Sequence, residues 1–154
     1  MQNRDVLNYD GMDELSQAFA QAFVSTFPQW EQLAKAVKDE KTRVSYIEVD
    51  VGQEGTDRVL HLSTADNEIT IGFDNWHTHI GPFLGSDTAE SVAEAIAIIE
   101  SFIAEETIVK VSRRDGVWIE SNFEYLVAPS EPKPNSTAQV FSWRRTHDKT
   151  IDTR

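Results

Sequence analysis

The sequence predicts an α+β fold, a two-layer sandwich. One mostly antiparallel sheet of about six strands carries N-terminal helices and one central helix on one face. Two observations point there. Apolar residues recur at helical spacing in residues 12–39 and again from Ser86 to Ile103, and between and after these blocks they alternate with period two. A chain of 154 residues, 40% apolar and 10% aromatic, suffices for a single domain over residues 1–154 that buries about 70% of the surface its unfolded form exposes.

Residues 1–10 lack periodicity and read as a loose lead-in, without the basic start and apolar stretch of a signal peptide. From Met12 onward, Leu15, Phe19, Phe23 and Phe27 return at every fourth position, a core-facing stripe with Ala22 beside it. Asp13 and Glu14 fall in the first turn, where they complement the helix dipole. Pro28 ends this helix. A second short helix is expected from Gln29 to Asp39, with Trp30, Leu33, Ala34 and Val37 on one face.

The period then changes to two. In residues 43–51, Ile47, Val49 and Val51 alternate with Tyr46, Glu48 and Asp50, the pattern of a strand buried on one face. Residues 58–63 follow after a Gly-flanked turn, with Leu60 and Leu62 inward and Val59 and His61 outward. Residues 68–74 repeat the pattern with Ile69, Ile71 and Phe73 inward, completing a meander of three strands. Asp87 and Glu90 are spaced as a capping box, and Val92, Ile96, Ile99 and Ile103, flanked by Ala89, Ala93 and Phe102, form the stripe of the central helix. Three further strands are expected at 107–112, 117–125 and 138–145, the first two joined by Arg114-Asp115-Gly116. The Pro-rich residues 128–137 make a mobile surface loop, and the polar tail 146–154 frays.

Charge separates the function classes. There are 26 acidic and 14 basic residues, a formal net charge of −12. Residues 1–132 carry −15 and residues 133–154 carry +3. A body of that sign repels nucleic acid, which needs a basic footprint, and attracts basic proteins. Cysteine is absent, which excludes a disulfide framework and thiolate metal sites and fits a reducing cytoplasm. No window reaches the length of a membrane span, so no membrane partner is expected. A Cys or Gly-x-Ser-x-Gly nucleophile and a Gly-rich phosphate loop are also missing, and the reading is a protein that is not an enzyme and needs no cofactor. Placing Ile47, Val49, Leu60, Leu62, Ile69, Ile71, Val117 and Ile119 on the helix side of the sheet leaves Tyr46, Glu48, Asp50, His61, Asp74, Trp118 and Glu120 on the other. Aromatics among carboxylates on an open face suit a protein partner, the rings supplying contact area and the acids steering it.

The segment 73–84, Phe-Asp-Asn-Trp-His-Thr-His-Ile-Gly-Pro-Phe-Leu, departs from ordinary packing composition. His77 and His79 are two apart and point the same way in an extended chain, where they can share a metal with Asp74 or His61 as a third ligand. No further ligand stands out by spacing. Equally, Trp76, Ile80, Phe83 and Leu84 can pin a strand-to-helix crossover whose bend is set by Gly81-Pro82.

A strand ending Ile69-x-Ile71-x-Phe73-Asp74, then Trp76-His77-x-His79 and an acidic amphipathic helix, resembles immunity proteins of bacterial polymorphic-toxin and contact-dependent growth inhibition systems. The resemblance covers residues 69–83 and extends loosely to Glu106; Ile80-Gly81 stands where an aromatic followed by Asp is expected. It implies a small cytoplasmic protein, monomer or homodimer, that binds and blocks a cognate toxin domain, often a basic nuclease. The partner-binding residues expected are Glu48, Asp50, Asp74, Trp76, His77, His79, Trp118 and Glu120, with no metal assigned. The alternatives are a small metal-dependent hydrolase using His77 and His79, or a dimeric ligand-binding module.

Overall fold

Asp13 opens the first helix by accepting the backbone N–H of Ser16 at 2.7 Å. It therefore caps α1 (Glu14–Thr26) instead of lying within its first turn. The computed structural model describes residues 7–82 and 87–153. Of the expected lead-in, residues 1–6 lie outside the described residues, as do Phe83, Leu84 and Ser86. The chain divides into two compact units, one of Met1–Gly72 with His77–Ala97, the other of Phe73–Trp76 with Ile98–Arg154.

In the first unit Leu15, Phe19, Phe23 and Phe27 of the α1 stripe are all buried, as their spacing requires. The expected second helix is not formed. Residues Pro28–Leu33 make a 3-10 turn, and Ala34–Lys38 is a strand, β1. Helix formers such as Ala and Lys set only a weak preference, and here antiparallel pairing with β2 (Ser45–Gly52) overrides it. Strands β3 (Val59–Ser63), β4 (Ile69–Phe73) and β5 (Trp76–Ile80) follow, and the sheet runs β1-β2-β3-β4-β5. β5 corrects the crossover reading of 75–83. Asp74 and Asn75 form a tight turn with Asp74 at φ +52, and a two-residue link returns the chain antiparallel beside β4.

The inward residues of this sheet are the expected ones: Ile47, Val49, Leu60, Leu62, Ile69 and Ile71 are buried. Thr64, just past β3, is buried too. Its hydroxyl accepts the Ile47 N–H at 3.0 Å and hydrogen-bonds the Ser16 hydroxyl at 2.7 Å, tying α1 to β2. Helix α2 (Thr88–Ile103) starts with the expected capping box, the Glu90 N–H donating to Asp87 at 2.7 Å and the Asp87 N–H to Glu90 at 3.4 Å. Its stripe is rotated from the expected one: Ser91, Val92, Ala95, Ile99 and Phe102 are buried, whereas Ala89 and Ala93 are exposed.

The second unit has its own sheet, so the single sheet of about six strands becomes two, of five and four strands. Its strands β6 (Thr107–Arg114), β7 (Val117–Tyr125), β8 (Thr137–Phe141) and β9 (Lys149–Asp152) run in the order β7-β6-β8-β9, each pair antiparallel. The Asp115-Gly116 turn, both residues at positive φ, closes the β6–β7 hairpin as its sequence demands. β8 ends at Phe141, short of the expected 145, and the tail expected to fray returns as β9 against β8. Phe73, Trp76, Phe102, Phe123 and Trp143 form an aromatic core, with Phe73 edge-on to Phe102 at 4.6 Å and Trp76 stacked on Phe123 at 4.8 Å. Residues 128–136 contain no strand, as expected of a Pro-rich loop.

Candidate functional site

The outward face of the five-stranded sheet gathers chemistry because alternation leaves it no other residues. On β2 it presents Tyr46, Glu48 and Asp50, on β3 Val59 and His61, on β4 Thr70 and Gly72, and on β5 His77 and His79. Asp50 and His61 stand directly opposite in the β2–β3 register, and His61 Nδ1 lies 2.6 Å from the Asp50 carboxylate. Gly72 comes next in the row. A Cβ at Gly72 would lie 3.9 Å from the Cβ atoms of both His61 and His77, so the missing side chain leaves an indentation between two imidazoles.

Beside that row, His79 Nδ1 is 2.8 Å from Glu68 Oε1 and 3.0 Å from the Thr70 hydroxyl. The His77 and His79 rings meet edge to face at 5.1 Å. Glu48 lies across from Lys35 of β1 and accepts a long hydrogen bond, 3.4 Å, from the Tyr46 hydroxyl. Partial burial, and then the Glu48 carboxylate, raise the Tyr46 pKa above its ordinary value, so this phenol stays a donor. Each of the two outer histidines thus has one ring nitrogen held by a carboxylate and the other directed away from it.

Tyr46 also lines a cleft of about 230 Å³ with Asp13, Asp39, Thr42, Asp66 and Asn67. Asp39 accepts the N–H groups of Thr42 at 2.7 Å and Lys41 at 2.9 Å and the Thr42 hydroxyl at 3.1 Å. These bonds, led by the Thr42 N–H, lower its pKa and keep it ionised. The cleft is acidic, lined by three carboxylates. Sequence reasoning did not find it, because Asp13, Asp39 and Asp66 are far apart in the chain and each resembles an ordinary cap or turn residue.

The eight residues expected to bind a partner are divided between the two units. Glu48, Asp50, His77 and His79 belong to the outward face of the first unit, whereas Asp74, Trp76, Trp118 and Glu120 belong to the second. Asp74 is exposed in the β4–β5 turn. Trp76 is buried at 8% exposure, so its ring is core and unavailable to a partner. Trp118 is 58% exposed and donates its indole N–H to Ser121 at 2.9 Å. Glu120 lies 3.8 Å from Lys133 of the Pro-rich loop. Val117, expected to point into the core, is 68% exposed, and Ile119 is half-buried. The cause is a bulge opposite Ser112 and Arg113 that resets the alternation of β7.

For the histidines, no group of three or more His, Asp or Glu among the described residues is arranged to hold a metal ion. In the second unit, Ser130 bridges Lys110 and Glu124, an arrangement the sequence did not suggest. The Lys110 ammonium donates to the Ser130 carbonyl at 3.1 Å and to its hydroxyl, and it lies 3.0 Å from Glu124; the Ser130 hydroxyl in turn donates to Glu124. Burial alone would raise the Glu124 pKa, but the bonds from Ser130 and Lys110 outweigh it and lower it below the usual carboxylate value. A carboxylate so held is a poor base for activating Ser130, and the cluster acts as a clamp on the loop. Among the described residues no helix is long and apolar enough to cross a membrane. Comparisons of the chain with protein-family models, curated proteins and solved structures find no match.

Proposed function

We propose that this chain is a cytoplasmic immunity protein: it binds a cognate, basic bacterial toxin domain, a nuclease by preference, and blocks its active site. One observation carries the reading, the segregation of charge. The first unit holds 16 acidic and 6 basic residues, a net −10 of the total −12, against −2 for the second. A field concentrated in this way steers a basic partner and raises its association rate. Glu48, Asp50 and Glu68 on the outward face, and Asp13, Asp39 and Asp66 in the cleft, are the groups that would meet its lysines and arginines. Half-exposed Tyr46, His61, His77 and His79 supply flat contact area between them. Nothing in the inhibition requires chemistry from this chain, only tight occupancy of the toxin's active site.

The test is co-expression of the chain with the product of the neighbouring reading frame, followed by purification of a complex. A tight complex and rescue of growth are expected. Glu48→Lys with Asp50→Lys should slow association about tenfold at low salt, an effect screened away as salt rises. The absence of both a complex and rescue with that product would overturn the proposal.

A further inference from the structure

The four most exposed large apolar side chains among the described residues lie on β7 or just beyond it: Val117 at 68%, Trp118 at 58%, Tyr125 at 65% and Val127 at 92%. β7 is nine residues long and stands at the end of its sheet, with β6 beside it and its other edge unpaired among the described residues. It contains neither Pro nor Lys, two of the residues that usually blunt an edge. Its two carboxylates are already engaged within the chain, Glu124 by Lys110 at 3.0 Å and Glu120 by Lys133 at 3.8 Å. An open edge flanked by exposed aromatics, with its acids compensated, is built to add a strand.

We propose that the occupant is a second copy of this chain, pairing β7 against β7 antiparallel about a two-fold axis at Ser121. Strand symmetry limits the choices, because residues opposite one another must share a face of the continuous sheet. Centring the axis on Asn122 sets Glu120 against Glu124, and centring it on Glu120 sets that residue against itself. The Ser121 axis sets Glu120 against Asn122 with no like charges opposed, and beyond the bulge at Ile119 the face-matched register slips by one residue, which brings Trp118 opposite Tyr125. The bulge contributes as well. Thr107 pairs with Tyr125 and Arg113 with Trp118, so Trp118 and Tyr125 point to the same face despite their odd spacing. In the Ser121 register the Tyr125 of one copy therefore lies next to Trp118 of the other, twice over, and the exposed aromatics cover one another. The low net charge of this unit, −2, leaves little repulsion to overcome.

Light scattering and a cysteine probe test the proposal together. The wild-type chain should run at twice its 17.4 kDa mass. Trp118→Lys with Tyr125→Lys, at two sites more than half exposed, should keep the circular dichroism spectrum and raise the dimer dissociation constant about 100-fold. Because the chain has no Cys, Ser121→Cys should oxidise to a covalent dimer, directly opposed residues in an antiparallel pair lying within disulfide reach, whereas Asp57→Cys should not. A 17.4 kDa species at millimolar concentration would leave the edge to a different chain and overturn the assignment. A dimer indifferent to the lysines, with no cross-link at position 121, would place the contact elsewhere and overturn it equally. Neither result touches toxin binding, which is assigned to the other unit.

Discussion

Replacing Lys110 by Met removes one half of a nearly buried ion pair and tests how the second unit is held together. The Lys110 side chain is 3% exposed and that of Glu124 10%, so neither charge is solvated when its partner leaves. Breaking such a pair from one side costs about 3–5 kcal/mol, because the remaining charge stays desolvated. In a chain of this length that is a fall in Tm of about 6–20 °C. Lys110→Met leaves the Glu124 carboxylate with only the Ser130 N–H, at 3.1 Å, and the Ser130 hydroxyl. Removing both charges together, in Lys110→Met with Glu124→Leu, should recover most of the loss, since an apolar pair of similar volume needs no compensation.

The pH dependence sharpens the test. In the wild type the folded-state pKa of Glu124 is lowered, so its contribution to stability is full above the unfolded value of about 4.3 and is lost as pH falls through the folded value. In Lys110→Met the Lys110 hydrogen bond and charge no longer lower the pKa, so the folded-state pKa lies above that of the wild type and the variant loses less stability than the wild type as pH falls. The stability gap between wild type and variant should therefore shrink as pH drops from 7 towards 4. Urea unfolding at several pH values measures this directly. A single-variant loss under about 1 kcal/mol at pH 7, or a gap that widens in acid, would refute the account of the clamp.

Two further substitutions probe the cores. Thr64→Val should cost about 1–3 kcal/mol in urea unfolding, because it strands the buried Ile47 N–H and leaves the Ser16 hydroxyl only its long, 3.5 Å bond to the Thr64 carbonyl, while Thr64→Ser, which keeps the oxygen, should cost less than half of that. Trp76→Ala should cost about 3–5 kcal/mol by losing the stack on Phe123, whereas Trp118→Ala, at a side chain more than half exposed, should stay within about 0.5 kcal/mol; equal losses at the two tryptophans would contradict their assigned environments.

What the sequence made legible is local. Phenylalanines four apart could only be one face of a helix, Asp87 and Glu90 could cap one, and Asp115-Gly116 could close a hairpin, since each signal is complete within a few residues. Residues 34–38 were misread because Leu33 and Val37 satisfy a helical spacing, while the pairing that makes β1 a strand lies in β2, beyond the reach of any local pattern. β5 shows the same weakness from the other side. Trp76, Thr78 and Ile80 do alternate with two histidines, but five residues cannot distinguish a strand from an extended crossover until a partner strand is known. β9, with four mostly polar residues, carries no burial pattern at all.

Periodicity says which side of a strand is buried, but not which sheet the strand belongs to, and that gap decides how the candidate site is read. Glu48 and Asp50 shared an alternation with Trp118 and Glu120, and one sheet would have joined them in a single acidic and aromatic surface. With two sheets, the acids belong to a unit of net −10 and the most exposed aromatics to a unit of net −2. Long-range attraction and short-range strand addition are then different properties of different units. Charge reversal at Glu48 and Asp50 should alter the salt-dependent rate of partner association while leaving the oligomeric state alone, and lysines at Trp118 and Tyr125 should do the reverse. If both pairs of substitutions changed both properties, the two units would be acting as one surface after all.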